Sequence, residues 1–154
     1  MSIQRTLAAS RRVATVATAI AVSHLLATPA AAQLAGDVFI HDPSTVVLSD
    51  GKWYTFGTRG GGLVSEDGWT WSSGPVRPGG GVAPDVIKIG ERYYIAYAVG
   101  GGGLNGGHAS EVKVMWTKSL DPNSPDLEYH DVGTVASSDG IENNDAIDPA
   151  FLLA

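Results

Sequence analysis

The sequence contains no cysteine, so neither a disulfide framework nor thiol chemistry contributes to its stability or function. It also lacks helical periodicity. Beyond residue 32, apolar residues do not recur at the three- and four-residue spacing of an amphipathic helix. The chain is instead rich in turn formers and aromatics, with 20 glycines, 8 prolines, four tryptophans and five tyrosines. This composition favours β structure with many turns.

Basic residues are scarce beyond residue 32. All 16 acidic residues lie there with only seven of the ten Lys and Arg, which leaves that part with a net charge of −9. Nucleic acid and anionic membranes are attracted to basic surfaces, so we expect neither as a partner. A neutral polymer such as a polysaccharide is compatible with this charge.

The first 32 residues have the pattern of a secretory signal peptide. Arg5, Arg11 and Arg12 form a positive start, residues 13–26 are mostly apolar, and Ala30-Ala31-Ala32 offers a small-residue cleavage site. A membrane anchor is the alternative, but the apolar run is short for a spanning helix. The pattern predicts cleavage after Ala32 and a secreted or periplasmic protein.

The remainder, residues 33–154, forms two groups of short apolar runs separated by turn residues. Asp50-Gly51 and Asp67-Gly68 are strong hairpin signals. The predicted strands are 45–48, 52–58, 63–65 and 69–71 in the first group, then 86–89, 92–99, 112–117 and 127–132 in the second. Repeated units of four strands predict an all-β fold built from the four-stranded antiparallel blades of a β-propeller. A small β-sandwich is the alternative.

A third unit begins at Asp148-Pro149 and contains one predicted strand. A propeller closes with roughly 4–8 blades, which is more than two blades plus one strand. The sequence also ends on the apolar run Phe151-Leu152-Leu153-Ala154, without a turn or a polar tail. We therefore expect a fragment of a longer protein.

Aspartates mark the start of each predicted unit: Asp42, Asp85 and Asp148. The inner strands of a propeller begin at one mouth of its channel, so we expect the three carboxylates to form one acidic cluster. Like charges resist joint ionisation, which shifts the pKa values of clustered carboxylates. Paired carboxylates are the acid and base of glycoside hydrolysis. The alternative is that Asp-Pro merely begins a strand, where proline is tolerated.

Four motifs in this order resemble glycoside hydrolase family 43. They are His41-Asp42-Pro43-Ser44, Ala83-Pro84-Asp85-Val86, the strand 92–97, and Asn144-Asp145-Ala146-Ile147-Asp148-Pro149. The resemblance runs from about Val38 to the end and is strongest to the endo-1,5-α-L-arabinanases. It implies a five-bladed propeller that hydrolyses arabinan with inversion, of which residues 33–154 are the N-terminal part.

The resemblance also implies residue roles. Asp42 matches the general base that activates water, and Asp148 matches the carboxylate that tunes the pKa of the general acid and orients it. The general acid, a Glu in a later blade, has no counterpart, so we expect this chain alone to be inactive. The expected substrate-binding residues are Asp42, Gly107, Asp145, Ile147 and Asp148, with His41 and Asp85 as further candidates.

Two departures from the family pattern keep other functions open: Val82 replaces a usual Trp, and Asp145 replaces a usual Asn. The alternatives are an exo-acting arabinofuranosidase or β-xylosidase, and a non-catalytic carbohydrate-binding propeller. The resemblance implies no cofactor and leaves room for a calcium ion in the full-length protein, although the sequence offers no evident metal ligand. We expect arabinan or a related plant polysaccharide as partner, and a monomer at full length.

Overall fold

The computed structural model describes residues 33–100, 109–138 and 144–153. Strands dominate these ranges, with one short 3-10 helix at Thr58–Gly60. The strands are β1 (Ala35–Gly36), β2 (Val47–Ser49), β3 (Lys52–Phe56), β4 (Gly62–Ser65), β5 (Thr70–Ser73), β6 (Val82–Ile89), β7 (Arg92–Gly100), β8 (Ser110–Thr117) and β9 (His130–Ser137). In the part of the chain that is described, no helix has the length and apolar character needed to span a membrane.

The first sheet has the strand order β1-β5-β4-β3-β2. Strands β2 to β5 form an antiparallel meander, as predicted. The β2–β3 turn places Asp50 at φ 50° and Gly51 at φ 79°, and two successive positive φ angles match the twist of a hairpin. The sequence did not predict β1, which pairs in parallel with β5, because two residues carry no alternating pattern.

Asp67 stabilises the turn between β4 and β5. Its Oδ1 accepts hydrogen bonds from the backbone N–H groups of Thr70 (2.7 Å) and Trp69 (2.8 Å). These bonds favour the charged form and lower the pKa of Asp67 to about 2. A depressed carboxylate pKa stabilises the fold above the unfolded value of about 3.9. That contribution is lost as the pH falls through about 2.

The second sheet has the order β6-β7-β8-β9 and is antiparallel throughout. Its first three strands lie close to their predicted positions. The predicted fourth strand, 127–132, is wrong in position, because β9 begins only at His130 and continues to Ser137. The residues before it are held in turns, in which Ser124 N–H donates to Asp121 O (2.9 Å) and Leu127 N–H donates to Ser124 O (3.2 Å). A ladder cannot begin until these turns end.

One apolar core joins the two sheets. Its buried members are Tyr54, Phe56, Val86, Tyr93, Ile95, Tyr97, Met115 and Leu120. The hydroxyl of Tyr93 crosses between the sheets and donates to Leu48 O (2.6 Å). Strand β2, at one edge of the first sheet, lies in contact with β6, at one edge of the second. Neighbouring blades of a propeller meet in this way around the central axis.

The third unit differs from its prediction. No strand pairing occurs within residues 144–153. Single hydrogen bonds hold this segment, from Ala146 N–H to Ser110 Oγ (2.7 Å) and from Phe151 N–H to Asp85 Oδ2 (2.8 Å). A strand needs a ladder of backbone bonds to a neighbour, and no such ladder reaches these residues. The all-β class with two four-stranded antiparallel units is confirmed.

The shared core gives a direct test of how the sheets are held together. Ile95 is fully buried in this core, whereas Ile89 on β6 is half exposed. We expect Ile95→Ala to lower the free energy of unfolding by about 2–5 kcal/mol, because it removes buried methyl groups and leaves a cavity. Ile89→Ala should change it by no more than about 0.5 kcal/mol. Urea unfolding of both variants measures the difference, and equal effects would contradict this core.

Candidate active site

Backbone hydrogen bonds to β3 and the residues after it hold the segment that carries Asp42. Thr58 N–H donates to His41 O (2.9 Å), and Ser44 N–H donates to Phe56 O (2.7 Å). Phe56 N–H donates to the buried Ser44 Oγ (3.0 Å). Gly57 lets the two segments approach, since a Cβ at this position would lie 2.7 Å from His41 O. Asp42 is thereby fixed opposite Thr58.

Two side chains hydrogen-bond to one oxygen of Asp42. The hydroxyl of Thr58 donates to Oδ2 (2.7 Å), and Nδ1 of His41 lies 2.7 Å from the same oxygen. The Thr58 bond is the main reason that the pKa of Asp42 lies below its ordinary value, and His41 adds to the effect. Among the described residues, none donates a hydrogen bond to Oδ1. Since Asp42 is exposed, that oxygen can accept a hydrogen from water.

Asp42, Ala83 and Asp148 each precede a proline and have positive φ angles of 50°, 44° and 52°. A left-handed backbone is unfavourable for a residue with a Cβ, and such strain tends to cluster at functional sites. The repetition identifies Ala83 as the equivalent of the two aspartates. The predicted alignment of Asp85 with Asp42 and Asp148 is therefore wrong by two residues.

Asp85 lies on β6 and is partly buried. Its Oδ1 accepts a hydrogen bond from Thr45 N–H (3.0 Å), and its Oδ2 accepts one from Phe151 N–H (2.8 Å). Burial alone would raise the pKa of Asp85, but the bonds from Phe151 and Thr45 outweigh it, so that the pKa lies below its ordinary value. Clustering with other carboxylates predicts a raised pKa for Asp85. The hydrogen-bond donors lower it instead.

The structure brings the three aspartates to one open cleft of about 430 Å³. Prolines and small residues complete its lining: Pro43, Thr45, Ala83, Pro84, Pro149 and Ala150. A larger cavity of about 590 Å³ lies on the first sheet and is lined mainly by apolar residues, including Trp53, Trp69 and Trp71. Of these two cavities, the smaller cleft has three carboxylates and the larger has one, Asp67, and acid and base catalysis of glycoside hydrolysis uses a pair.

The other predicted site residues lie elsewhere. Asp145 and Ile147 do not line the cleft, although they precede Asp148 closely. Ile147 is exposed, and the buried Oδ1 of Asp145 has no hydrogen-bond partner among the described residues. Gly107 lies outside those residues. Within them, no group of three His, Asp or Glu side chains has a geometry that could hold a metal ion.

Thr58 is the site residue that the sequence did not predict. Its hydroxyl donates to Asp42 Oδ2 and accepts a hydrogen bond from Ala83 N–H (3.1 Å). It therefore links the carboxylate of the first unit to the strained pre-proline residue of the second. No motif marks it. Only the pairing of residues 41–44 with residues 55–58 reveals it.

The role of Thr58 is testable by substitution. Thr58→Val keeps the branched shape and removes the hydroxyl, so we expect the pKa of Asp42 to rise toward its ordinary value. Carbon-13 NMR titration of the Asp42 carboxyl measures this change. In the control Thr134→Val, the lost hydroxyl donates to Glu111 (2.9 Å) on the second sheet, and the pKa of Asp42 should not move. An unchanged pKa in Thr58→Val would contradict the assignment.

Some known proteins are similar to this chain in amino-acid sequence. No protein-family model matches the chain. The protein named "Probable arabinan endo-1,5-alpha-L-arabinosidase A" of Aspergillus flavus is 31% identical over 150 residues, covering 86% of this chain and 43% of the relative. "Extracellular exo-alpha-(1->5)-L-arabinofuranosidase ArbA" of Cellvibrio japonicus is 30% identical over 139 residues, covering 77% and 38%. The chain thus spans less than half the length of the curated relatives it matches.

The solved structures that resemble this chain are also arabinanases. The exo-1,5-α-L-arabinanase from a bovine ruminal metagenomic library matches with a TM-score of 0.62 and 31% identity, over 71% of this chain and 40% of that one. The GH43 endo-arabinanase of Bacillus licheniformis matches with a TM-score of 0.62 and 29% identity, over 75% and 44%. The propeller prediction is confirmed for the part of the fold that the chain covers. The chain is therefore related in both sequence and fold to arabinanases of glycoside hydrolase family 43.

Proposed function

We propose that the protein is a glycosidase that hydrolyses α-1,5-linked L-arabinan in endo mode and with inversion. The observation that carries the proposal is the charge and position of the Asp42 carboxylate. This carboxylate lines the cleft, is exposed, and is held in its charged form by Thr58 and His41. A general base must be deprotonated to accept a proton from the attacking water.

In the proposed reaction, a water molecule attacks the anomeric carbon while the glycosidic carbon–oxygen bond breaks. Asp42 takes the proton of the water, and a general acid gives a proton to the departing sugar oxygen. We assign Asp148, which lines the same cleft, the task of tuning and orienting that acid. We further propose that the acid is a Glu of a later blade, and that residues 33–154 form the N-terminal part of a five-bladed propeller.

The proposed substrate rests on the named activities of the relatives. The names of two relatives specify 1,5-linked L-arabinose, one with endo action and one with exo action. We favour endo action because the Aspergillus flavus relative and the Bacillus licheniformis structure are both named as endo-acting.

We also propose that residues 1–32 direct export and are removed. The amino-acid pattern described above supports this, and the Cellvibrio japonicus relative is named as extracellular. Export would place the protein where plant polysaccharide is available.

Loss of the base is the main test. In the full-length protein, we expect Asp42→Asn to reduce hydrolysis of linear 1,5-α-L-arabinan by about 10²–10⁴-fold. This is the usual contribution of general base catalysis. Release of reducing ends measures the rate. Proton NMR of the first product identifies the anomer, and product sizes separate endo from exo action.

Asp126→Asn is the matched control, because it changes an exposed aspartate in the turn before β9, outside the cleft. Its activity should equal that of the unchanged protein. Equal rates for Asp42→Asn and Asp126→Asn would exclude Asp42 as the base. A protein that leaves arabinan intact under all conditions would overturn the proposed function.

Residues 33–154 alone provide a separate test. They carry Asp42 and Asp148 but no counterpart of the general acid, so we expect this fragment to release no reducing ends from arabinan. We expect arabinohexaose to shift NMR signals of the cleft residues in the same fragment. Cleavage by residues 33–154 would show that the acid lies within them, contrary to the proposal.

A further inference from the structure

Asp85 connects two segments that are distant in the chain. Each oxygen of its carboxylate accepts one backbone hydrogen bond, Oδ1 from Thr45 N–H (3.0 Å) and Oδ2 from Phe151 N–H (2.8 Å). Both donors lie outside the sheet that contains Asp85. The side chain therefore joins the first unit, the second unit and the segment after residue 144.

The two donors occupy equivalent positions. Thr45 is the third residue after Asp42, and Phe151 is the third residue after Asp148. Asp42 and Asp148 share the same backbone, each with a φ angle near 50° before a proline. Asp85 thus bonds to the same point of two repeated segments, each of which carries one of the cleft carboxylates.

We propose that Asp85 is a positioning residue that sets the separation of Asp42 and Asp148 and does not itself bind the sugar. This inference deepens the proposed function and rests on it for its catalytic consequence. The physical reason is the rigidity of a carboxylate, whose two oxygens are fixed to one carbon. Two hydrogen bonds to such a group, stronger because it is charged, tie both segments to a single rigid reference point.

The alternative role for Asp85, direct contact with substrate, conflicts with its bonding. Both of its oxygens already accept a backbone N–H, and the side chain is less exposed than that of Asp42. The two bonds also hold the pKa of Asp85 below its ordinary value. The group therefore stays charged, and able to accept both bonds, throughout the pH range in which a deprotonated base operates.

The hydrogen-bond pattern is tested by NMR on the substrate-free protein. If one carboxylate accepts both bonds, the amide protons of Thr45 and Phe151 should shift together as the pH falls, with one shared midpoint below the usual pKa of an aspartate. In Asp85→Asn neither amide proton should show that midpoint. Different midpoints for the two amides, or no titration of either, would overturn the proposal. This experiment needs no activity, so it stands even if arabinan proves not to be the substrate.

The catalytic consequence is tested with a matched control. Asp67 also accepts two backbone N–H bonds, from Thr70 and Trp69, but it stabilises a hairpin turn outside the cleft with the three aspartates. We expect Asp85→Asn to lower kcat by about 10–100-fold while KM changes less than about threefold. A small displacement of the catalytic carboxylates weakens transition-state stabilisation more than it weakens substrate binding. Asp67→Asn should leave both values unchanged in the folded protein.

A graded series strengthens the test. Asn keeps one acceptor oxygen and Ala keeps none, so kcat should fall in the order Asp85, Asp85→Asn, Asp85→Ala. Circular dichroism and urea unfolding report whether each variant is folded, which separates lost activity from lost structure. If Asp85→Asn alters kcat no more than Asp67→Asn, or raises KM and leaves kcat unchanged, the positioning role is excluded. Inactivity of the unchanged protein on arabinan would instead count against the proposed function, and the amide titration would then decide the role of Asp85.

Discussion

Hydrogen bonds that cross from one repeated unit to the next, at the starts of the inner strands, are the constraint on which the cleft depends. Thr58 of the first unit accepts the N–H of Ala83 in the second and donates to Asp42. Asp85 of the second unit accepts N–H groups from the first and from the last described segment. Together with the backbone bonds between the Asp42 segment and residues 56–58, they hold Asp42 and Asp148 in the cleft. Without the bond to Asp85, the residues after Asp148 would lose a contact that no strand ladder replaces.

The sheets supply a rigid support for these contacts. Aromatic and aliphatic side chains from both sheets share one core, and Tyr93 bonds across it to the backbone at Leu48. Because β2 and β6 lie side by side, the residues that precede them converge. The left-handed backbone at Asp42, Ala83 and Asp148 is a local strain that recurs before a proline in all three segments. The surrounding hydrogen bonds and packing offset that strain.

Much of this architecture could be predicted from local patterns. The hairpins at Asp50-Gly51 and Asp67-Gly68 are visible in the sequence because their turn types require particular residues. Strand β9 was misplaced because the turns stabilised by Asp121 and Ser124 delay its start, and polar turn residues resemble a solvent-facing strand. Strand β1 was missed because its pairing with β5 depends on a distant partner.

The sequence by itself determined the all-β class, the turns and the identity of three candidate aspartates, since these follow from residue type and short spacing. Only the tertiary structure decided which contacts each aspartate makes. It matched Ala83, rather than Asp85, with Asp42 and Asp148, and it turned Asp85 toward two backbone amides. It also revealed Thr58 as the donor that keeps Asp42 charged. The physical reason is that hydrogen bonds between residues 40 to 66 positions apart depend on how the sheets pack, and no local pattern encodes that packing.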